Sequence, residues 1–252
     1  MQAIQDVPVR SDSTQERPSF RTDLRTIAQW ITLGMSAGGL GGLIVGGIGG
    51  RIAMFVLRLT SDDSVRGIKS DDGFIIGRFD LLSTLQLLFT TMFLGSLVGL
   101  FVVLGRPFLP SRWMPAAWGA AGATVGGTIL INADGVDFTL LGPRPLAVAM
   151  FIVIPALGAA LIAWLVERLH SIWWKRWKTT GVVGLAAVPG IVTVFIPIVA
   201  ILGGAIWLLV GRIESLRHLP TWQPARIAAL VVFAAVVVLG ILGLNDKVKQ
   251  VL

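Results

Sequence analysis

The first hydrophobic segment carries a glycine at every fourth position: Gly34, Gly38, Gly42, Gly46 and Gly50. In water this sequence would be a poor helix, because each glycine costs roughly 1 kcal/mol relative to alanine. In a bilayer a single segment must be helical, because an unpaired backbone group there costs several kcal/mol. A row of glycines on a membrane helix forms a groove that admits another helix at close range. The row therefore predicts a packed bundle of membrane helices with a glycine-zipper first span.

The composition indicates a chain that is surrounded mostly by lipid. Hydrophobic residues make up 54% of the 252 residues, charged residues 14%, and the mean hydropathy is +0.80. A soluble domain carries about 25% charged residues. Cysteine is absent, which excludes disulfides, iron–sulfur clusters and thiol catalysis, and we expect no cofactor. The net charge of +7 is attributed to basic residues at span ends that contact anionic headgroups, and not to nucleic-acid binding.

The hydropathy pattern predicts an all-α, multi-pass transmembrane helix bundle of about six spans. Each span needs about 20 apolar residues. Residues 1–27 are polar, lack the apolar run of a cleavable signal peptide, and are predicted to be a disordered cytoplasmic tail. Residues 28–252 are predicted to form one transmembrane domain. Its predicted spans lie at about 29–52, 83–105, 116–132, 145–167, 182–211 and 226–244.

The third predicted span is short and rich in small residues. Its candidate packing glycines are Gly119, Gly122, Gly126 and Gly127, and the second span has its own pair, Gly95 and Gly99. Because the third span is weakly apolar, we expect it inside the bundle. We predict that the first span crosses the third, small face to small face, with self-association of the first span as the alternative.

The fifth predicted span, 182–211, is too long for one simple crossing and contains Pro189 and Pro197. A single kinked helix is preferred over a re-entrant hairpin. The single helix places 12 Lys and Arg residues inside and 9 outside, whereas the hairpin places 13 inside and 8 outside. Both arrangements predict a cytoplasmic amino terminus. The simplest location is a bacterial-type plasma membrane.

The loops on the predicted outer face contain the main candidate polar site. Ser61-Asp62-Asp63 is repeated as Ser70-Asp71-Asp72, and a second loop contains two aspartates three residues apart. Such mixed charges are typical of a solvated, self-paired loop, and a ligand or cation site is the alternative. The acidic spacing is not that of an EF-hand loop. The candidate residues are Arg51, Asp62, Asp63, Asp71, Asp72, Arg78, Asp134 and Asp137.

Asp134 and Asp137 lie at a membrane boundary. The pair is similar to the aspartate-rich motifs with which intramembrane prenyltransferases bind magnesium and a diphosphate. Those enzymes have more spans and place their motifs on the cytoplasmic side. The alternative is that Asp134-Gly135 forms a turn and Asp137 pairs with Arg51, Arg78 or Arg144.

No recognisable catalytic motif is present, and the predicted spans lack the buried carboxylates and histidines of proton-coupled pumps. Three functions remain. The preferred one is a non-catalytic accessory, assembly or scaffold component that binds itself or another membrane protein. The second is a channel or passive transporter for a small solute, lined by threonines of spans two and three. The third is a membrane enzyme or receptor that uses the outer-face aspartates and arginines.

Overall fold

The computed structural model describes residues 20–65, 67–69, 80–176 and 223–252. The longer helices in these ranges are α1 (Phe20–Gly41), α2 (Gly50–Thr60), α3 (Leu81–Gly105), α4 (Met114–Ala121), α5 (Gly127–Leu130), α6 (Val136–Thr139), α7 (Arg144–Arg176) and α8 (Gln223–Val251). The glycine-rich π-helical segments Gly42–Gly49 and Gly122–Gly126 join α1 to α2 and α4 to α5. The first glycine-rich segment makes α1 and α2 one continuous helix, called the α1–α2 rod. The second does the same for α4 and α5, which form the α4–α5 rod.

Four helical stretches are long and apolar enough to cross a membrane: Gln29–Thr60, Leu81–Gly105, Arg144–Ile172 and Gln223–Val251. They correspond to the first, second, fourth and sixth predicted spans and confirm the all-helical prediction. The third predicted span forms the α4–α5 rod, whose length of about 25 Å is shorter than the bilayer core. The fifth, 182–211 with its two prolines, lies outside the described residues.

The first helix begins earlier in the sequence than predicted. α1 begins at Phe20, so residues 20–27 are helical, although the tail was expected to extend to residue 27. These residues contain neither glycine nor proline, so nothing in the local sequence interrupts the helix. Residues 1–19 lie outside the described part of the chain.

The α1–α2 rod, the α4–α5 rod and α8 run in one direction, and α3 and α7 run in the other. Gly34 lies against Gly99 and Gly42 against Thr91, which makes the α1–α2 rod antiparallel to α3. α7 runs antiparallel to both the α1–α2 rod and the α4–α5 rod and lies between them. α8 packs on the outer side of the α4–α5 rod and runs parallel to it, since Gly240 meets Thr124 and Gly243 meets Thr128.

This arrangement gives the bundle two faces. The amino-terminal face contains the start of α1, the end of α3, the start of α4, the end of α7 and the start of α8. The opposite face contains the other ends and the carboxyl terminus, because Val251 packs with Leu57 and Ile131. Residues 176 and 223 thus lie at the same face.

A bulky apolar cluster closes each end of the bundle. The amino-terminal cluster consists of Leu33, Ala37, Val102, Met114, Ile162, Ala163 and Val166. The opposite cluster consists of Leu57, Val65, Ile131, Phe138, Leu141, Ala147, Val148 and Val251. Between them the rods meet through glycine, alanine and threonine, so their backbones approach most closely at mid-depth.

The predicted crossing of the first span with the third is wrong. The glycine row of the α1–α2 rod packs against Gly95 and Gly99 of α3, and α7 separates that rod from the α4–α5 rod. The physical reason is that α3 follows the first rod directly and offers a matching pair of glycines at a four-residue spacing.

Candidate functional sites

The described residues of the predicted outer-face site differ in burial. Asp62, Asp63 and Asp134 are exposed, Arg51 is half-buried near the start of α2, and Asp137 is buried in α6 with 4% exposure. Asp71, Asp72 and Arg78 lie outside the described residues. Within the described ranges, no group of three histidine or acidic side chains could hold a metal ion.

Asp62 has a local structural role. Its Oδ1 accepts a hydrogen bond from the backbone N–H of Ser64 at 2.8 Å, which stabilises the turn after α2. This backbone hydrogen bond, with one from the Ser64 side chain, holds the pKa of the exposed Asp62 carboxyl below its usual value. Both interactions are those of a turn-forming aspartate.

Asp134 and Asp137 have different environments despite their close spacing. The turn expected at Asp134-Gly135 is present, because the Gly135 N–H donates to the Asn132 carbonyl at 2.9 Å. The turn leaves Asp134 exposed, whereas Asp137 is buried in the first turn of α6. Arg51 and Asp137 are each engaged in a polar or ionic interaction. Pairing of Asp137 with an arginine stays a prediction.

Hydrogen bonds connect the end of α2 with another loop of the opposite face. Thr60 Oγ1 donates to the Gly142 carbonyl at 2.9 Å, and the Gly142 N–H donates to Ser61 Oγ at 3.0 Å. The end of α2 is thereby fixed to the loop that precedes α7. Sequence analysis missed this contact because Gly142 is 81 residues from Ser61 and belongs to no motif.

The amino-terminal face contains a charged cluster that the sequence did not reveal. Arg106 Nε donates to Glu167 Oε1 at 2.8 Å, and Arg106 Nη2 lies 3.2 Å from His170 Nδ1. The His170 ring stacks on Trp30 with centroids 5.0 Å apart, and Arg106 Cζ lies 5.3 Å from the centroid of the same Trp30 ring. The cluster ties α1, α3 and α7 together. The only sequence signal was the three-residue spacing of Glu167 and His170 on one helix.

The glycines of the row differ in how closely they approach α3. A Cβ atom at Gly38 or Gly42 would overlap backbone atoms of α3, and one at Gly34 would lie 2.9 Å from the Gly99 carbonyl oxygen. At Gly46 the nearest atom would be Thr91 Cβ at 2.9 Å, whereas at Gly50 it would be Leu87 Cδ2 at 4.0 Å. Close backbone contact is therefore confined to the first part of the row.

The glycines of the α4–α5 rod face two different helices. A Cβ at Gly122 or Gly126 would collide with Pro155 of α7. A Cβ at Gly119 would lie 3.3 Å from Ala160 Cβ, and one at Gly127 would lie 3.0 Å from Leu244 Cδ1 of α8. The small residues of this rod thus allow it to fit between α7 and α8.

The threonines that could line a polar pathway point in different directions. Thr91 Oγ1 donates to the Leu87 carbonyl at 2.9 Å, and Thr124 Oγ1 donates to the Ala120 carbonyl at 2.9 Å. Thr128 Oγ1 donates to the Gly240 carbonyl of α8 at 3.0 Å, while Thr90 lies on the exposed side of α3. The three inward hydroxyls thus donate to helix carbonyls.

Comparisons with protein-family models, with characterised proteins and with solved structures find no match for this chain. No relative therefore supplies an activity. The described residues join helices closely at mid-depth.

Proposed function

We propose that this protein is a non-catalytic accessory, assembly or scaffold component of a membrane. The observation that carries the proposal is the close helix contact at mid-depth. There, backbone lies on backbone between the α1–α2 rod and α3, and the inward threonine hydroxyls donate to helix carbonyls. Such contacts favour a rigid, closely packed centre whose role is to present surfaces.

A channel or passive transporter is the main alternative. A pathway needs polar groups that face a common space, whereas Thr91 faces the α1–α2 rod and both Thr124 and Thr128 face α8. An enzyme or receptor at the opposite face would need Asp134 and Asp137 to act together. The exposure of Asp134 and the burial of Asp137 weigh against that alternative.

We further propose a bacterial-type plasma membrane with the amino-terminal face in the cytoplasm. The ends that flank residues 177–222 lie at this same face, whereas one kinked crossing between them would reverse the direction of α8. The hairpin topology assigns 13 of the 21 Lys and Arg residues to the amino-terminal face, as expected for a cytoplasmic side with anionic lipids.

The decisive experiment combines purification with transport. The affinity-tagged protein is extracted from its native membrane in lipid nanodiscs, and its co-purifying proteins are quantified by mass spectrometry. The purified protein is also reconstituted in liposomes, and the flux of water, glycerol, ammonium, chloride and potassium is measured. A scaffold component is expected to retain a stoichiometric partner and to leave all fluxes at the level of protein-free liposomes.

Two variants make the result interpretable. Thr91→Val and Thr128→Val remove inward hydroxyls while nearly conserving side-chain volume. A solute flux that either variant changes would establish the channel and overturn the scaffold proposal. Absence of both flux and a stoichiometric partner would also contradict it.

A further inference from the structure

The hydrogen bond between Arg106 and His170 exists in only one protonation state of the histidine. Arg106 Nη2 lies 3.2 Å from His170 Nδ1, and a guanidinium nitrogen donates hydrogen bonds and never accepts them. His170 Nδ1 must therefore carry a lone pair and no proton. The ring in this contact is neutral, with its hydrogen on Nε2.

The charges that face the His170 ring balance each other when the ring is neutral. Arg106 supplies one positive charge from α3, and Glu167 supplies one negative charge from α7. From α1 the ring meets the indole of Trp30, which is uncharged. Arg168 is exposed and, two positions before His170, lies on another side of α7. Among the described residues, a proton on His170 thus adds a second cation beside a single carboxylate.

Protonation of His170 makes the two cations compete for Glu167. Arg106 uses both carboxylate oxygens, with Nε 2.8 Å from Oε1 and Nη2 3.4 Å from Oε2. A proton on Nδ1 removes the lone pair that accepts from Nη2 and places two positive charges in contact, where partial burial leaves their repulsion incompletely screened. Glu167 and His170 are three residues apart on one helix and can pair with each other. Arg106 is then the group that loses its partners.

We propose that the charged cluster is a proton-sensitive latch, in which protonation of His170 transfers Glu167 from Arg106 to His170 and releases the end of α3 from α7. The proton comes from water and stays on Nδ1, and no covalent bond changes. Glycine contacts farther along the helices, at Gly34 and Gly38, still hold the α1–α2 rod against α3, so the opening is confined to the helix ends. The latch responds to the pH of the compartment that contacts the amino-terminal face.

The protonation state of His170 can be observed directly, because the chain has two histidines. Nitrogen-15 NMR of histidine-labelled protein in nanodiscs distinguishes the two neutral tautomers from the imidazolium, and the variant His218→Gln identifies the signal of His170. The Nε2–H tautomer is expected at pH 8 and the imidazolium at pH 5. An Nδ1–H tautomer at pH 8, or a ring that is still neutral at pH 5, would overturn the proposal.

The effect of Arg106 on stability should depend on pH. At pH 8, Arg106→Gln removes the ion pair and is expected to lower the Tm by about 2–4 °C. At pH 5 the same change removes a cation that faces the imidazolium, so the Tm should be unchanged or higher. His170→Asn is the matched control, because its amide oxygen keeps a hydrogen-bond acceptor and does not titrate. In that background Arg106→Gln should be equally destabilising at both pH values.

Opening of the latch is measured as a distance between the ends of α3 and α7. The chain lacks cysteine, so spin labels can be attached at Leu104→Cys and Ile172→Cys, whose native side chains are 65% and 41% exposed. The distance distribution is expected to be longer and broader at pH 5 than at pH 8, and His170→Asn should remove this change.

Three further results would contradict the latch. They are an Arg106→Gln effect that is equal at both pH values with His170 present, a distance distribution that stays unchanged once NMR shows the imidazolium, and a pH dependence that His170→Asn retains. The last result would assign the response to other titrating groups. Each comparison is made between folded proteins, because circular dichroism at both pH values verifies the helix content of every variant.

Discussion

Gly38 and Gly42 have no room for any side chain, because α3 backbone occupies the position that a Cβ atom would take. Replacing backbone contact with a methyl group forces the two rods apart, and overpacking of this kind typically costs 1–3 kcal/mol. Gly50 differs, since a Cβ there would meet only Leu87 Cδ2 at an ordinary 4.0 Å. One sequence pattern thus contains both essential and replaceable glycines.

The first prediction follows from this difference. Gly38→Ala and Gly42→Ala should each lower the free energy of unfolding by about 2 kcal/mol or more, and the corresponding leucine variants should not fold. Gly50→Ala is the matched control and should be neutral or slightly stabilising. Unfolding in mixed detergent, followed by circular dichroism, measures all of them. Equal stability of Gly42→Ala and Gly50→Ala would show that the rods are not held by this contact.

The buried carboxyl of Asp137 leads to a second prediction. Removing one member of a buried ion pair leaves the other charge without compensation, which costs about 3–5 kcal/mol, whereas removing both costs less. If Arg51 is its partner, Asp137→Asn with Arg51→Gln should be less destabilising than the sum of the two single changes. The same cycle with Arg144, which is exposed, tests the alternative partner. Strictly additive losses with Arg51 would exclude that pairing.

At the level of helices, the ends of α3 and α7 are tied by charge while their middles are tied by small residues. Arg106 and Glu167 are 24% and 21% exposed, so their attraction is only partly screened by water. His170 and Trp30 extend the contact to α1. The charged cluster therefore joins α1, α3 and α7 at the amino-terminal face, in addition to the glycine contacts farther along the helices.

A third prediction tests this bond between helices. In a double-mutant cycle with Arg106→Gln and Glu167→Gln, the coupling energy should be about 1 kcal/mol in favour of the pair. Arg112, which lies over Trp113 on the same face, is the control, and Arg112→Gln should show no coupling to Glu167→Gln. Thermal unfolding of the six proteins at low and high salt provides the energies. Coupling absent at both salt concentrations would mean that the pair does not stabilise the bundle.

At the level of the whole molecule, the direction in which each helix runs determines where the two ends of the bundle lie. α8 runs parallel to the α4–α5 rod, and its last residues join the apolar cluster at the face opposite the start of α1. The two ends of the described bundle, at α1 and α8, therefore lie at its opposite faces. This polarity distinguishes the hairpin topology from one with six full crossings.

The fourth prediction concerns that polarity. An alkaline phosphatase fused after Leu252 should be active in a bacterial host, and a green fluorescent protein at the same site should be dark, because the carboxyl terminus is expected outside. The same reporters inserted after Pro110, between α3 and α4, should behave in the opposite way. A fluorescent carboxyl-terminal fusion would favour six crossings and a cytoplasmic carboxyl terminus.

The sequence alone indicated a helical protein surrounded by lipid, because hydropathy and the four-residue glycine spacing are local properties. The glycines that permit close contact, including Gly95 and Gly99, were also visible in it. Only the tertiary structure decided which small faces meet, since Gly38 fits α3 and the α4–α5 rod equally well on composition. It alone also joined Arg106 to Glu167 and Asp137 to the interior, because those residues belong to different helices and their approach depends on how the rods stack.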